Sequence, residues 1–190
     1  MSNGKTLAVD PQRPHFTNLQ RLGYGMGNYG CCFSWMLITL YLMTFMTDVA
    51  LINPATVGTV MLVSKLWDAI NDPIIGALSD RTVSRWGRYR PWILFATIPM
   101  LVVNVLCFTT NPAWSQTTRT VFSFAMYFIL VFIYTCVNIP FSAMPAVMTL
   151  DIEERGKLSG WRMSGAFVTT LIISAVYMRI VGLYPDAPYK

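Results

Sequence analysis

Charge is scarce in this 190-residue sequence: 12% of its residues are Asp, Glu, Lys or Arg, about half of what a soluble domain carries. Histidine occurs once, at His15, in a polar N-terminal stretch, and is assigned no role. A His-Glu-x-x-His zinc site, a Gly-x-Ser-x-Gly nucleophile elbow and a phosphate-binding glycine loop are all missing. The expectation is therefore a protein that is not an enzyme and needs no cofactor. The four cysteines, Cys31, Cys32, Cys107 and Cys136, show no metal-ligand spacing and sit in apolar stretches, where they read as small buried residues. Alternating segments of about ten residues, the mark of a membrane β-barrel, are also lacking.

What is present is apolar sequence: 54% of the residues are hydrophobic and the mean hydropathy is +0.48. Five stretches, at about residues 24–47, 56–78, 91–109, 120–139 and 158–183, each approach the 20 or so residues that a bilayer core demands. The fold class expected is all-α, a polytopic membrane protein. Lys5, Arg13 and Arg21 precede the first stretch; Arg81, Arg85, Arg88 and Arg90 follow the second; Arg155 and Lys157 follow the fourth. The opposite loops hold Arg119, Arg179 and Lys190. By the positive-inside rule the N-terminus lies in the cytoplasm. The same rule accounts for the net charge of +5, so no nucleic-acid partner is inferred. Residues 1–21 are read as a cytoplasmic tail without a signal peptide.

Gly23 and Gly27 form a small-xxx-small pair suited to close helix packing. Pro73 removes a backbone hydrogen bond inside helix two, and Pro140 and Pro145 are expected to end or kink helix four.

The strongest chemical signal is Trp67-Asp68-Ala69-Ile70-Asn71-Asp72-Pro73. Two carboxylates four residues apart share a helix face. An ionised carboxylate at the centre of a membrane costs roughly 2.5–3.5 kcal/mol on insertion scales. Asp68 and Asp72 therefore need a positive charge: a proton, a sodium ion, or the ammonium of Lys65 three residues earlier. The first two make an ion pathway, and the third makes a structural ion-pair cluster. A second signal is the run from Ser79 to Pro91, with Gly76 four residues before Asp80. There Asp80 beside Arg81, Arg85 and Arg88 suggests a latch of charge-assisted hydrogen bonds between helix ends, or a topology anchor.

Asp68-Ala69-Ile70-Asn71-Asp72-Pro73, Ser79-Asp80-Arg81-Thr82 and Arg85-Trp86-Gly87-Arg88-Tyr89-Arg90-Pro91-Trp92 together resemble the glycoside–pentoside–hexuronide:cation symporters. This family of the major facilitator superfamily includes the bacterial melibiose carrier. The likeness extends to Tyr41-Leu42-Met43, Thr47-Asp48, Ile139-Pro140-Phe141, Leu150-Asp151, Glu154-Arg155 and Arg162. The resemblance implies cation-coupled sugar symport in the inner membrane. It implies that Asp68, Asn71, Asp72 and Thr135 bind the coupling sodium ion or proton, and that Arg162 lies near the sugar. Where the melibiose carrier has sugar-binding acids on helices one and four and a nearby aromatic, this sequence has Cys32, Asn138 and Ser142. The ion site is thus kept while the substrate site differs, which points to another glycoside, a uronide or a substrate that is not a sugar.

Family members have about twelve helices in two halves, whereas five are legible here. The expectation is an incomplete N-terminal six-helix domain over residues 22–190, whose partners are the bilayer, a sugar-like substrate and the remaining half of the transporter. The competing expectation is a membrane partner or regulator that keeps the fold without transporting.

Overall fold

Capping chemistry sets where the first helix begins. Thr17 Oγ1 accepts a hydrogen bond from the Gln20 amide while Gln20 Oε1 accepts from the Thr17 amide, a reciprocal box. The computed structural model describes residues 16–111 and 113–183. Its helix α1 spans Asn18–Leu37, so it starts some six residues before the expected boundary, and Arg21 lies within it. Lys5, Arg13, His15 and the segment Tyr184–Lys190 lie outside the described residues.

From Leu37 the chain continues through two π-helical stretches, Ile38–Leu42 and Phe45–Val49. Widened turns of this kind concentrate at functional sites. Here the first begins three residues after Trp35, and Thr39 donates its hydroxyl to the Trp35 carbonyl. Helix α2 (Pro54–Arg81) is capped by Asn53, whose side chain accepts from the Ala55 amide. Helices α3 (Arg90–Cys107), α4 (Gln116–Met148) and α5 (Ile152–Leu183) follow. Among the described residues there is no strand. Five helical rods stand where five were expected. Two of them, α3 and α4, are long and apolar enough to cross a membrane by length and composition. In α2 the apolar run is interrupted by Lys65, Asp68 and Asp72.

The prolines behave differently from expectation. Helix α4 runs through both Pro140 and Pro145 to Met148. Pro145 has no amide hydrogen to give the carbonyl four residues back, that of Phe141. The Tyr24 hydroxyl of α1 donates to that carbonyl at 3.0 Å, and the two rings stack at 4.8 Å. The lost bond is thus replaced from a neighbouring helix, as membrane helices with internal proline require.

Helix α1 packs along α5, while α4 packs against both α2 and α3. A larger buried cluster includes Leu42, Met46, Val57, Met100, Leu130, Val131 and Val137. A smaller one joins Tyr24, Phe141 and Leu158. Lipid tails are as apolar as leucine, so contact between such helices depends on close approach rather than on escape from water. The expected pair Gly23–Gly27 does not supply that approach: a Cβ on Gly23 would meet nothing within 4 Å. The tight points are Gly27 against Phe141, Gly25 against Trp161, and above all Gly165 against Tyr29.

A Cβ at Gly165 would lie 2.5 Å from Tyr29 Cε1. Gly165→Ala is therefore expected to cost about 1–3 kcal/mol through overpacking. The check is thermal unfolding in detergent, in a cycle with Tyr29→Ala: removing the ring should recover most of that loss, and purely additive effects would place the strain elsewhere.

Candidate cation and substrate sites

Helix α2 turns Ser64, Asn71, Ile75 and Ser79 inward, and Asp68 and Asp72 lie half-buried at the border of that face. The inward face meets α4. There Thr135 Oγ1, itself buried, lies 3.2 Å from Asp72 Oδ1 and 3.1 Å from the Val131 carbonyl oxygen. A hydroxyl has one proton and two lone pairs. Turned to Asp72, it neutralises part of the carboxylate. Turned to Val131, it leaves two oxygens 3.2 Å apart, both free to accept a shared cation.

Asp68 is served differently. Lys65 Nζ lies 3.4 Å from its Oδ2 and also 4.8 Å from the centroid of the Trp35 ring, a cation–π distance. Trp35 stacks on Tyr134 of α4 at 4.2 Å and 19°. The Lys65 side chain is 61% exposed, so this pair is a weak one. Asp72 has the Thr135 hydroxyl and no ion-pair partner among the described residues. Asn71 lies between the acids, buried, and its Nδ2 has no hydrogen-bond partner. A half-turn of that amide breaks no bond at its nitrogen and offers an oxygen instead. The donor set of Asp68, Asp72, Asn71 and Thr135 therefore consists of hard oxygens, which fit a proton or an alkali cation. Among the described residues there is no cluster of three or more His, Cys, Asp or Glu side chains for a transition metal.

A second polar cluster forms where α1, α4 and α5 meet. Arg162 Nη1 donates to Ser142 Oγ at 2.8 Å, and Ser142 in turn donates to the Asn138 carbonyl at 2.7 Å. Asn28 Nδ2 contacts both Cys32 Sγ (3.0 Å) and the Arg162 carbonyl (3.4 Å). Cys32, Asn138, Ser142 and Arg162, which the sequence singled out on three separate stretches, are thus brought into one cluster. Asn28, Trp35, Tyr134 and Tyr24 belong to this region and were missed. Asn28 sits four residues before Cys32, so a search for polar residues on the Cys32 face would have found it.

The loop after α2 holds its acid without an arginine. Tyr89, buried, donates its hydroxyl to Asp80 Oδ1 at 2.5 Å. That bond, with burial, raises the Tyr89 hydroxyl above the usual tyrosine range. Trp92 Nε1 donates to Thr82 Oγ1 at 2.9 Å. Gly87 turns the loop with φ of +97°, a conformation glycine adopts without strain. Gly76 approaches Ile139 of α4. Arg81, Arg85 and Arg88 are exposed and, among the described residues, none forms an ion pair with Asp80.

The ion pair that does tie helix ends together is Arg21 with Glu154. Arg21 Nη2 lies 2.8 Å from both carboxylate oxygens, and Lys157 adds a contact at 3.3 Å. Glu154 lies in the first turn of α5, ahead of the apolar stretch that begins near Leu158. Burial opposes its ionisation, but the bonds from Arg21 and Lys157 outweigh that and hold its carboxyl below the ordinary glutamate range.

A bundle of apolar helices with two half-buried acids on its second helix, and a charged loop between its second and third, has the character of a membrane transport protein. The family model of the MFS/sugar transport proteins matches residues 23–187, and the chain belongs to that family. The inner membrane symporter YicJ of Escherichia coli is 38% identical over 86% of this chain and 35% of its own length. The isoprimeverose transporter of Lactiplantibacillus pentosus is 35% identical over 87% of the chain and 34% of its own. For the glucuronide carrier protein homolog of E. coli the values are 31%, 80% and 34%. The chain thus spans about a third of the length of these relatives. The expected kinship with the glycoside and hexuronide symporters is borne out.

A lowered carboxylate contributes stability above its unfolded pKa and loses it as the pH falls through the folded value. Glu154→Gln should therefore lower the unfolding temperature clearly at pH 7, and much less near pH 3, below the ordinary glutamate value of about 4.3. Melting curves in detergent at the two pH values decide this: an equal loss at both would assign Glu154 a role independent of its charge.

Proposed function

We propose that this chain supplies the cation-binding helices of a symporter that moves a sugar or glycoside across the cytoplasmic membrane with a sodium ion or proton. The observation that carries this reading is the contact of Thr135 with Asp72, which closes α4 over the paired acids of α2. In it, Asp72 is the principal ion ligand, because its charge has no ammonium beside it. Asp68 is the second ligand, reached when Lys65 moves away, and Asn71 adjusts ion choice through its unpaired amide. Binding of a cation changes the charge of the site, and that change is what biases the conformational equilibrium of the transporter. The N-terminus lies in the cytoplasm, all five helices cross the membrane, and the rest of the transporter completes the path.

The substrate site is formed by Cys32, Asn138, Ser142 and Arg162. A neutral sugar held by acids would lose its acceptors here, while an acidic sugar gains a guanidinium held by the Ser142 hydroxyl and the Tyr24 phenol, neither of them a carboxylate. A hexuronide or similar acid glycoside is therefore the preferred substrate class. A family relative named as a glucuronide carrier homolog supports that preference. Gly76, Asp80 and Arg81 at the end of α2, with Arg85 and Arg88 of the loop that follows, act as the latch at the cytoplasmic end, with Asp80 parked on Tyr89 in the present state.

In a transport-competent protein carrying these helices, Asp68→Cys and Asp72→Cys should each abolish uptake driven by a sodium or proton gradient. Thr135→Val should weaken ion affinity about tenfold or more, the scale of a hydrogen bond to a charged group. Gradient-coupled uptake surviving both acid substitutions would make the acids structural.

Arg162→Ala is expected to remove uptake of an acidic glycoside before that of a neutral one. Competition of the two substrates in the same vesicles measures this, and unchanged uptake of the acidic one would refute the assignment of Arg162.

A further inference from the structure

We infer that the face of the molecule between α3 and α4 holds one anionic phospholipid, its headgroup on Arg85 and an acyl chain in the groove beside Phe95. The inference rests on the membrane setting and not on the transport reading above.

Two adjoining hollows make the site. One, of about 400 Å³, is lined almost wholly by apolar side chains, among them Trp92, Phe95, Pro99, Phe132 and Ile133. The other, of about 530 Å³, is lined by Ser84, Arg85, Trp86, Pro91 and Phe95. Pro91 and Phe95 belong to both, so an apolar channel opens directly onto a guanidinium. The Trp86 ring lies over Phe95 at 5.9 Å and 22°, and Trp92 is fixed by its bond to Thr82. Tryptophan at the junction of a polar and an apolar zone is the usual residue of a membrane interface.

Charge complementarity selects the occupant. Arg81, Arg85, Arg88 and Arg90 are all exposed within ten residues of chain. The acid of that loop, Asp80, is bound by the Tyr89 hydroxyl. Among the described residues, none of the four arginines makes a salt bridge. Arg85 at the mouth of an apolar groove, with three more cations in the same short run and no salt bridge to any of them among the described residues, matches a phosphodiester with an attached chain. A free phosphate would use the arginine and leave the groove unfilled.

The lining residues of α4 also separate this face from the transport site. At 3.6 residues per turn, Ile133 and Cys136 lie more than a quarter-turn from Thr135, Asn138 and Ser142, and Phe132 lies between the two faces. The outer side of α3, with Leu94, Ile98, Leu101 and Val105 more than half exposed, continues the apolar surface.

Native mass spectrometry of the purified chain in detergent tests the inference, with dioleoylphosphatidylglycerol titrated against dioleoylphosphatidylcholine. One saturable phosphatidylglycerol adduct is expected, with phosphatidylcholine binding at least several-fold more weakly. Arg85→Gln should reduce the phosphatidylglycerol affinity about fivefold, the attraction that one basic residue provides near an anionic surface. Phe95→Ala should weaken both lipids, and since Phe95 is 67% exposed its loss leaves the fold intact, as circular dichroism can verify. Glycerol phosphate should not displace the lipid. Equal binding of the two lipids, displacement by glycerol phosphate, an unchanged affinity in Arg85→Gln, or a dimer of the chain in place of a lipid adduct would each overturn the inference.

Discussion

Two carboxylates on adjacent turns of one helix must share a small supply of positive charge, and much of the local structure is organised by that shortage. Lys65 answers it for Asp68 at 3.4 Å, but from an exposed position and while also resting on the Trp35 ring. Its ammonium is divided between a carboxylate and an aromatic face, each of which holds it weakly. Among the described residues, Asp72 receives only the dipole of the Thr135 hydroxyl. The arrangement neutralises neither acid fully. A cluster serving stability alone would do better with a buried bidentate arginine, and the molecule builds such a pair elsewhere, between Arg21 and Glu154.

That contrast separates two uses of charge in one chain. At the end where α1 and α5 begin, Arg21 reaches both oxygens of Glu154 at 2.8 Å and a lysine adds to the pair, so the carboxylate is saturated. In the middle of α2 the acids are left with long or shared contacts. The loop after α2 stands between these cases: its acid is satisfied by the Tyr89 phenol, and its arginines face outward.

The helices, the placing of Asp68 and Asp72 together on one side of α2, and the grouping of Cys32, Ser142 and Arg162 were legible from the sequence, because each depends on local hydropathy, on spacing along one helix, or on a family pattern. What escaped was set by neighbours. Pro140 and Pro145 read as breakers, yet α4 runs through both, and at Pro145 Tyr24, more than a hundred residues away, supplies the missing donor to Phe141. Gly23 and Gly27 read as a packing pair, yet the closest approach involves Gly165, whose partner Tyr29 lies on another helix. The start of α1 differs for another reason: it is set by the Thr17–Gln20 box, a local signal that lies ahead of the point where apolar sequence begins. The roles of Trp35 and Tyr134 needed three helices in place, since a tryptophan in an apolar run does not announce that a lysine lies over its ring.

The persistence of α4 through its prolines has a further consequence for the proposed transport cycle. Thr135, Asn138 and Ser142 recur at spacings of three and four, so they share one face of a single rod. Thr135 touches Asp72, the proposed ion ligand, at one end of that row, and Ser142 touches Arg162 at the other. A second connection runs from Asp68 through Lys65 and the Trp35 ring to Tyr134, again ending on α4. Had either proline broken the helix, the ion side and the substrate side would be joined by a flexible corner. With the rod intact, a shift of α4 on ion binding is transmitted to the Arg162 cluster as a displacement. By linkage, a substrate that repositions Arg162 and Ser142 must alter ion affinity by the same factor. Cation and substrate need not touch for each to favour the other's binding. They need only bias the same helix, and Tyr24, by satisfying the Phe141 carbonyl, keeps that helix whole.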